Sequence, residues 1–413
     1  MAVWVWTLAF VSGSLTWAQQ RLDLASLVEQ ALERNPEILA AQKRYEAARQ
    51  RPAQAGSLPD PVFSPSFNSN GRPWPGALLG LEPTSNIGFM VSQEIPFPGK
   101  RRLAGQIAAL EAAAEFEQYQ QTRASVISRV KQAYYRLAFV YPAQGILERN
   151  LSLLSEFIET AQNRYTAGKS DQAEIFKAYA QQSLVETRRL LLARERRSRE
   201  AELNSLLNRR PGSPLPQPEE LRQVTVPVGL EELLAAAQEN SPLLRREQRL
   251  VQRSEQGVNL ARKEFLPDVT LNAGYYHMGR MPDMFMFRAD LKAPLYWFRK
   301  QRAGLVEQSQ QLAQARRDFE AAHQSLFFRI QDDYALAEAS ARLVEIYRQS
   351  VIPQAGLVLE SSLISYQAGK TDLLAVLNNQ MALLEHEMSY WEQLLNLHLA
   401  LVRLEEASGR RLL

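Results

Sequence analysis

The phrase Tyr165-Thr166-Ala167-Gly168-Lys169-Ser170-Asp171 recurs as Tyr366-Gln367-Ala368-Gly369-Lys370-Thr371-Asp372. The chain is therefore a tandem duplication of about 200 residues per copy, and whatever it folds into must be built twice. The register holds elsewhere. Leu22 to Pro36 answers Val228 to Pro242, Leu58-Pro59-Asp60 answers Leu266-Pro267-Asp268, Lys100 answers Lys300, and Arg129-Val130 with Tyr134 answers Arg329-Ile330 with Tyr334. We expect a first repeat over residues 19–208, an extended linker over 209–227 whose prolines forbid a continuous helix, and a second repeat over 228–413.

Charge and apolar content narrow the class. The 48 basic and 45 acidic residues are scattered and leave no basic stripe for nucleic acid, while 46% hydrophobic residues argue against disorder. Residues 1–18 form an apolar run ending in Thr16-Trp17-Ala18, a small-x-small pattern that predicts a signal peptide, although no Lys or Arg precedes the run. With no cysteine there is no disulfide framework, thiolate metal site or lipid-modified N-terminal Cys. After residue 18 no apolar stretch reaches the roughly 18 residues of a membrane helix. Entry into a membrane would require a closed barrel.

Each copy reads as helix, two strands and a very long helical hairpin. Behind Leu266-Pro267-Asp268, Val269, Leu271, Ala273 and Tyr275 alternate with Thr270, Asn272, Gly274 and Tyr276. Across a turn, Phe285, Phe287, Ala289, Leu291 and Ala293 alternate with Met284, Met286, Arg288, Asp290 and Lys292. In the first copy Ile87, Phe89 and Val91 alternate with Gly88, Met90 and Ser92, and Val62 to Asn70 is a weaker strand interrupted by Pro65. Such strands suit a barrel wall between lipid and lumen, and equally a soluble sandwich. Four strands do not close a barrel, which takes about eight, so they are pooled between chains or packed some other way. From Lys100 to about Tyr165 and from Lys300 to about Tyr366 the sequence predicts helices of roughly 100 Å, kinked at Pro142 and Pro353. Leu374, Leu377, Met381, Leu384, Met388, Trp391, Leu395, His398 and Val402 follow a 3-4 spacing and predict a coiled-coil seam in which His398 is a packed residue.

Catalytic chemistry is missing. The Gly-Lys-Ser and Gly-Lys-Thr triplets lack the phosphate-loop glycine, since Asn163 and Ile364 hold its position, and they join helix to helix. His277, His323, His386 and His398 are scattered. We therefore expect neither an enzyme nor a cofactor. The sharpest ligand candidate is the cluster His277, Met278, Met281, Met284 and Met286, whose thioethers suit Cu(I) or Ag(I). Its plain alternative is a strand turn lined with flexible apolar residues.

The exported, cysteine-free duplication, two strands per copy, and hairpins closed by Tyr-x-Ala-Gly-Lys-[Ser/Thr]-Asp resemble the TolC-like outer membrane efflux protein family. The phrase from Ser92 to Arg102, "SQEIPFPGKRR", is most similar to its heavy-metal efflux branch, the CzcC and CusC type. The resemblance implies a mainly helical fold with a β-barrel part. Three chains would each give four strands to one outer-membrane barrel and their long antiparallel hairpins to a periplasmic α-barrel tunnel. It further implies a passive exit duct, with heavy-metal cations as first choice of substrate and organic toxicants or secreted proteins as alternatives. Its partners would be a periplasmic adaptor and an inner-membrane pump of the RND type. Tyr165, Gly168, Lys169, Asp171, Tyr366, Gly369, Lys370 and Asp372 would form the adaptor-facing tips. The aperture positions that carry carboxylates in some members are Ala375 and Asn378 here, which speaks against an acidic ring. A competing class is an exported coiled-coil scaffold with a soluble head. A duct turns Val269, Phe285, Phe287 and Leu291 toward lipid, whereas a soluble head buries them.

Overall fold

The computed structural model describes residues 22–412, so the expected signal peptide lies outside the described residues. The first repeat contains α1 (Leu24–Arg34), α2 (Pro36–Ala48), α3 (Arg51–Gly56), β1 (Val62–Asn68), β2 (Asn86–Ile95), α4 (Lys100–Thr166) and α5 (Gln172–Leu206). The second contains α6 (Leu230–Asn240), α7 (Pro242–Lys263), β3 (Asp268–His277), β4 (Met284–Lys292), α8 (Lys300–Ile346), a π-helical turn (Tyr347–Val351), α9 (Ile352–Gln367) and α10 (Leu373–Ser408).

The long helices have the expected extent. α4 runs 67 residues, about 100 Å at ~1.5 Å per residue. The two prolines act differently from one another. α4 continues through Pro142, whereas in the second repeat the π turn immediately precedes Pro353, and Ile352 N–H reaches back to Tyr347 O. A wide turn of this kind makes room for a proline ring that clashes with the preceding turn of an α-helix.

Along α4 the companion changes halfway. Near the sheet it packs on α2, α3 and α7, and toward the far end on α5 and α10. The handover lies between Arg129, paired with Glu37 of α2, and Arg136, paired with Glu202 of α5. There Asn35 joins the two companions end to end. Its Oδ1 accepts from Glu37 N–H at 2.9 Å, capping α2 behind Pro36, and its Nδ2 donates to Leu206 O at 2.9 Å. The core at this level gathers Val126, Val130, Leu137, Ile146, Leu154 and Leu203 with the α10 seam, while Leu326, Ile330, Leu397 and Leu401 form a second cluster in the other repeat. Of the seam residues Leu374 alone is exposed.

Residues 209–227 contain no helix and no named strand, and run beside the first repeat. Leu22 N–H donates to Gln217 O at 3.0 Å, and the Tyr134 hydroxyl accepts from Glu219 N–H at 3.0 Å. His398 holds the linker from the other side. Its Nε2 bonds Arg222 O at 2.9 Å and its ring stacks on Tyr135 at 4.5 Å between centroids. Burial pushes the imidazole pKa down, and the Arg222 carbonyl opposes this only in part. An unfolded chain takes up that proton near pH 6.5 whereas the folded one resists. His398 therefore contributes its full stability above about pH 6.5 and loses it as the pH falls. Thermal unfolding between pH 7 and pH 5 should show a steeper loss for the natural chain than for His398→Gln; parallel losses would remove His398 from the acid response.

All four strands form one antiparallel sheet in the order β1-β2-β3-β4, so the repeats meet where β2 pairs with β3. Pro65 lies within β1, which is an edge strand, one of the places where a residue without an N–H is tolerated.

Candidate functional site

The register sorts the sheet into two faces. Phe63, Pro65 and Phe67 share one face with Ile87, Phe89 and Val91, with Val269, Leu271, Ala273 and Tyr275, and with Phe285, Phe287, Ala289 and Leu291. This face is turned outward. Phe287 is 82% exposed, and Phe285, Leu291 and Phe63 are exposed as well. A row of aromatic rings crosses all four strands on it, from Phe63 to Phe89 (5.4 Å), Tyr275 (6.1 Å) and Phe285 (5.4 Å). Polar groups hydrogen-bond along the opposite face. Ser92 Oγ donates to Asn272 Oδ1 at 2.6 Å, Asn272 Nδ2 donates to Asp290 Oδ2 at 2.8 Å, and Arg288 Nε donates to the same oxygen at 3.2 Å.

The methionine cluster divides between these faces. His277 lies opposite Ile87 on the apolar side, and its Nδ1 is engaged by Asp283 Oδ1 at 2.7 Å. Met284 and Met286 lie on the polar side opposite Tyr276 and Gly274, and Met278 and Met281 sit in the turn between the strands. Among the described residues no group of three or more His, Asp or Glu side chains is placed to hold a metal. The polar face does bring a different pair together, since Met90 and Met286 both lie opposite Gly274 from the two neighbouring strands.

The sheet is tied to the first turn of α4 through Lys100, whose side chain is 7% exposed. Its ammonium donates to both Asp268 oxygens at 2.9 and 3.0 Å, to Leu266 O at 3.1 Å and toward Glu264 at 3.4 Å. Asp268 also accepts Phe97 N–H at 2.7 Å.

At the other end the two repeated phrases fold alike. Lys169 N–H donates to Arg164 O at 2.8 Å and Gly168 N–H to Tyr165 O at 2.9 Å; Lys370 N–H donates to Ser365 O at 2.9 Å and Gly369 N–H to Tyr366 O at 3.0 Å. Each phrase is thus a Schellman ending, with Gly168 (φ 69°) and Gly369 (φ 73°) in the left-handed region. Asp171 and Asp372 cap α5 and α10 by accepting from Ala173 and Ala375 N–H. Lys169 and Lys370 are exposed and make no ion pair among the described residues. Ala375 is half-buried in the first turn of α10, and Asn378 is exposed one turn on.

The repeats differ at their tyrosines. Tyr165 is 44% exposed and Tyr366 only 2%. The Tyr366 hydroxyl donates to Glu174 Oε2 at 3.1 Å, while Arg164 donates to Tyr366 O at 2.7 Å with its guanidinium 4.5 Å from the ring centre. Burial first, and then the Glu174 carboxylate, push the Tyr366 pKa up to about 12. One repeat thereby holds the other at the tip. Deeper in, Gln380 Nε2 donates to Asn150 O and Oδ1, both at 3.3 Å. Sequence reasoning missed Arg164, Glu174, Asn150 and Gln380. The available signal was a mismatch, since Arg164 stands where the second phrase is preceded by Ser365. Tyr366→Phe should cost about 1 kcal/mol and speed hydrogen exchange of the amides around Gly369, while Tyr165→Phe leaves them unchanged; equal effects would refute the asymmetry.

The sequence matches the family described as Outer membrane efflux protein over residues 27–209 and 233–410. The chain belongs to this outer membrane efflux family. Family membership places it in the outer membrane, and the family is one of channels rather than enzymes. No curated protein sequence matches it. Solved structures share its fold. A crystal structure of CusC aligns with TM-score 0.79 at 17% identity, covering 94% of this chain and 92% of that one. VceC from Vibrio cholerae aligns with TM-score 0.79 at 21% identity, covering 94% and 96%. The open state of the Neisseria gonorrhoeae MtrE outer membrane channel aligns with TM-score 0.77 at 19% identity, covering 94% and 88%. In this efflux protein the exposed apolar face of the sheet is the surface suited to lipid, and the hydrogen-bonded polar face is the surface suited to a lumen.

Proposed function

We propose that this chain is the exit duct of a tripartite efflux system, a homotrimer that pools four strands per chain into one barrel and its helical hairpins into a periplasmic tunnel. The observation that carries this reading is a two-faced sheet, too small to close alone, fused to helices about 100 Å long. The duct is passive and receives substrate from a periplasmic adaptor and an inner-membrane pump of the RND type. The adaptor meets the tips around Tyr165, Gly168, Lys169, Gly369 and Lys370, where both lysines point into solvent, while the buried Tyr366 braces the second tip from within. Asp171 and Asp372 shape those tips as helix caps. Ala375 and Asn378 line the aperture without charge.

Heavy-metal cations are the first substrate class. In support stand the resemblance of the Ile95 to Lys100 phrase and the soft Met90, Met284 and Met286 side chains on the polar face. Deleting the gene from its host and titrating copper, silver and cobalt salts beside dyes and detergents tests this choice. Selective metal sensitivity is expected, and selective sensitivity to organic toxicants would reassign the substrate. Gly369→Val should abolish resistance at normal membrane levels, because a β-branched residue strains the left-handed turn; intact resistance would take the tip out of the transport path.

A further inference from the structure

The Lys100 joint draws its groups from both repeats, the lysine from the first and its acceptors from the second. Duplication writes the same joint into the sequence again, with Lys300 in the place of Lys100 and Leu58-Pro59-Asp60 in the place of Leu266-Pro267-Asp268. Within one chain this second set is not brought together. Lys300 and Asp60 are both exposed, and neither makes an ion pair among the described residues. Trp297, which repeats Phe97, is 55% exposed, whereas Phe97 is half-buried with its N–H on Asp268.

Strand order points the same way. β4 repeats β2 and β1 repeats β3, and these are the two open edges of the sheet. The Lys100–Lys300 and Asp60–Asp268 correspondences fix offsets of 200 and 208 residues. Carried over with these offsets, the internal pairs Phe89↔Tyr275 and Val91↔Ala273 become Ala289 opposite Phe67 and Leu291 opposite Pro65. All four of these residues lie on the apolar face. A slip of one residue would have set apolar against polar, so the faces check the register independently of the offsets.

We propose that a second copy of this chain docks on the β4 edge, with Lys300 of one protomer pairing with Asp60 of the next and Ala289 facing Phe67 across the seam. Each interface between chains then repeats the joint inside each chain, and three chains close a ring of six equivalent joints. This rests on the homotrimer reading above, and its test separates the two.

The chain is extracted from membranes, sized in detergent, and heated to find where its trimer dissociates. Lys300→Glu and Asp60→Lys should each lower that temperature, and the double variant should restore it. Because the natural chain has no cysteine, Ala289→Cys with Phe67→Cys should give disulfide-linked multimers under mild oxidation. Ala289→Cys with Pro65→Cys, two residues out of register, should not. A trimer in which the charge reversals add rather than compensate, or in which the second cysteine pair links instead of the first, overturns the proposed joint and leaves the trimer standing. A species that is not a trimer overturns both.

Discussion

Lys100→Met is expected to destabilise the protein by about 3–5 kcal/mol, the usual result of removing one partner from a buried ion pair. The substitution keeps the length and apolar stem of the side chain, so little packing is lost. What remains is a carboxylate at Asp268 that still accepts Phe97 N–H but no longer faces a cation at 2.9 Å. Adding Asp268→Asn should recover most of the loss, because the amide retains an acceptor for Phe97 and removes the unpaired charge. Denaturant unfolding of the purified channel in detergent measures both variants. If the double variant is as unstable as Lys100→Met, the loss is one of packing and the electrostatic account fails.

Phe287→Arg is expected to cost about 2–4 kcal/mol, the price of a cation on the lipid side of a barrel near its midplane. Outer-membrane levels should fall accordingly. Met286→Arg, one residue away on the polar face, should leave levels near normal. Adjacent residues with opposite outcomes are the sign of a two-faced wall, and equal outcomes would mean that the 82% exposure of Phe287 does not reflect contact with lipid.

The faces of the strands were legible because a period of two depends only on local order, and Val269 to Tyr275 and Phe285 to Leu291 lie as their alternation indicates. The tips were legible for a similar reason, since a glycine flanked by a helix end and an Asp cap describes its own turn. Long-range partner choice was not. Nothing near Arg164 says that it will cap the end of a helix some 200 residues away, or near Glu174 that it will accept from Tyr366. The methionine cluster shows the converse, because closeness in sequence set His277 and Met284 beside one another and pleating sent them to opposite faces. Pro65 weakened β1 as a reading without preventing it, because an edge strand leaves half of its backbone groups unpaired.

The end-to-end meeting of α5 and α2 at Asn35, alongside an unbroken α4, has a mechanical consequence. A beam whose spine is continuous but whose brace is spliced is most compliant at the splice. Around that splice the linker is fastened by Tyr134 and His398, which hold it against the core at the same height. Bending imposed on the inner end of such a rod is expected to concentrate at this waist. In the proposed trimer, such a waist would let the far ends of the hairpins bend without passing the strain on to the strands.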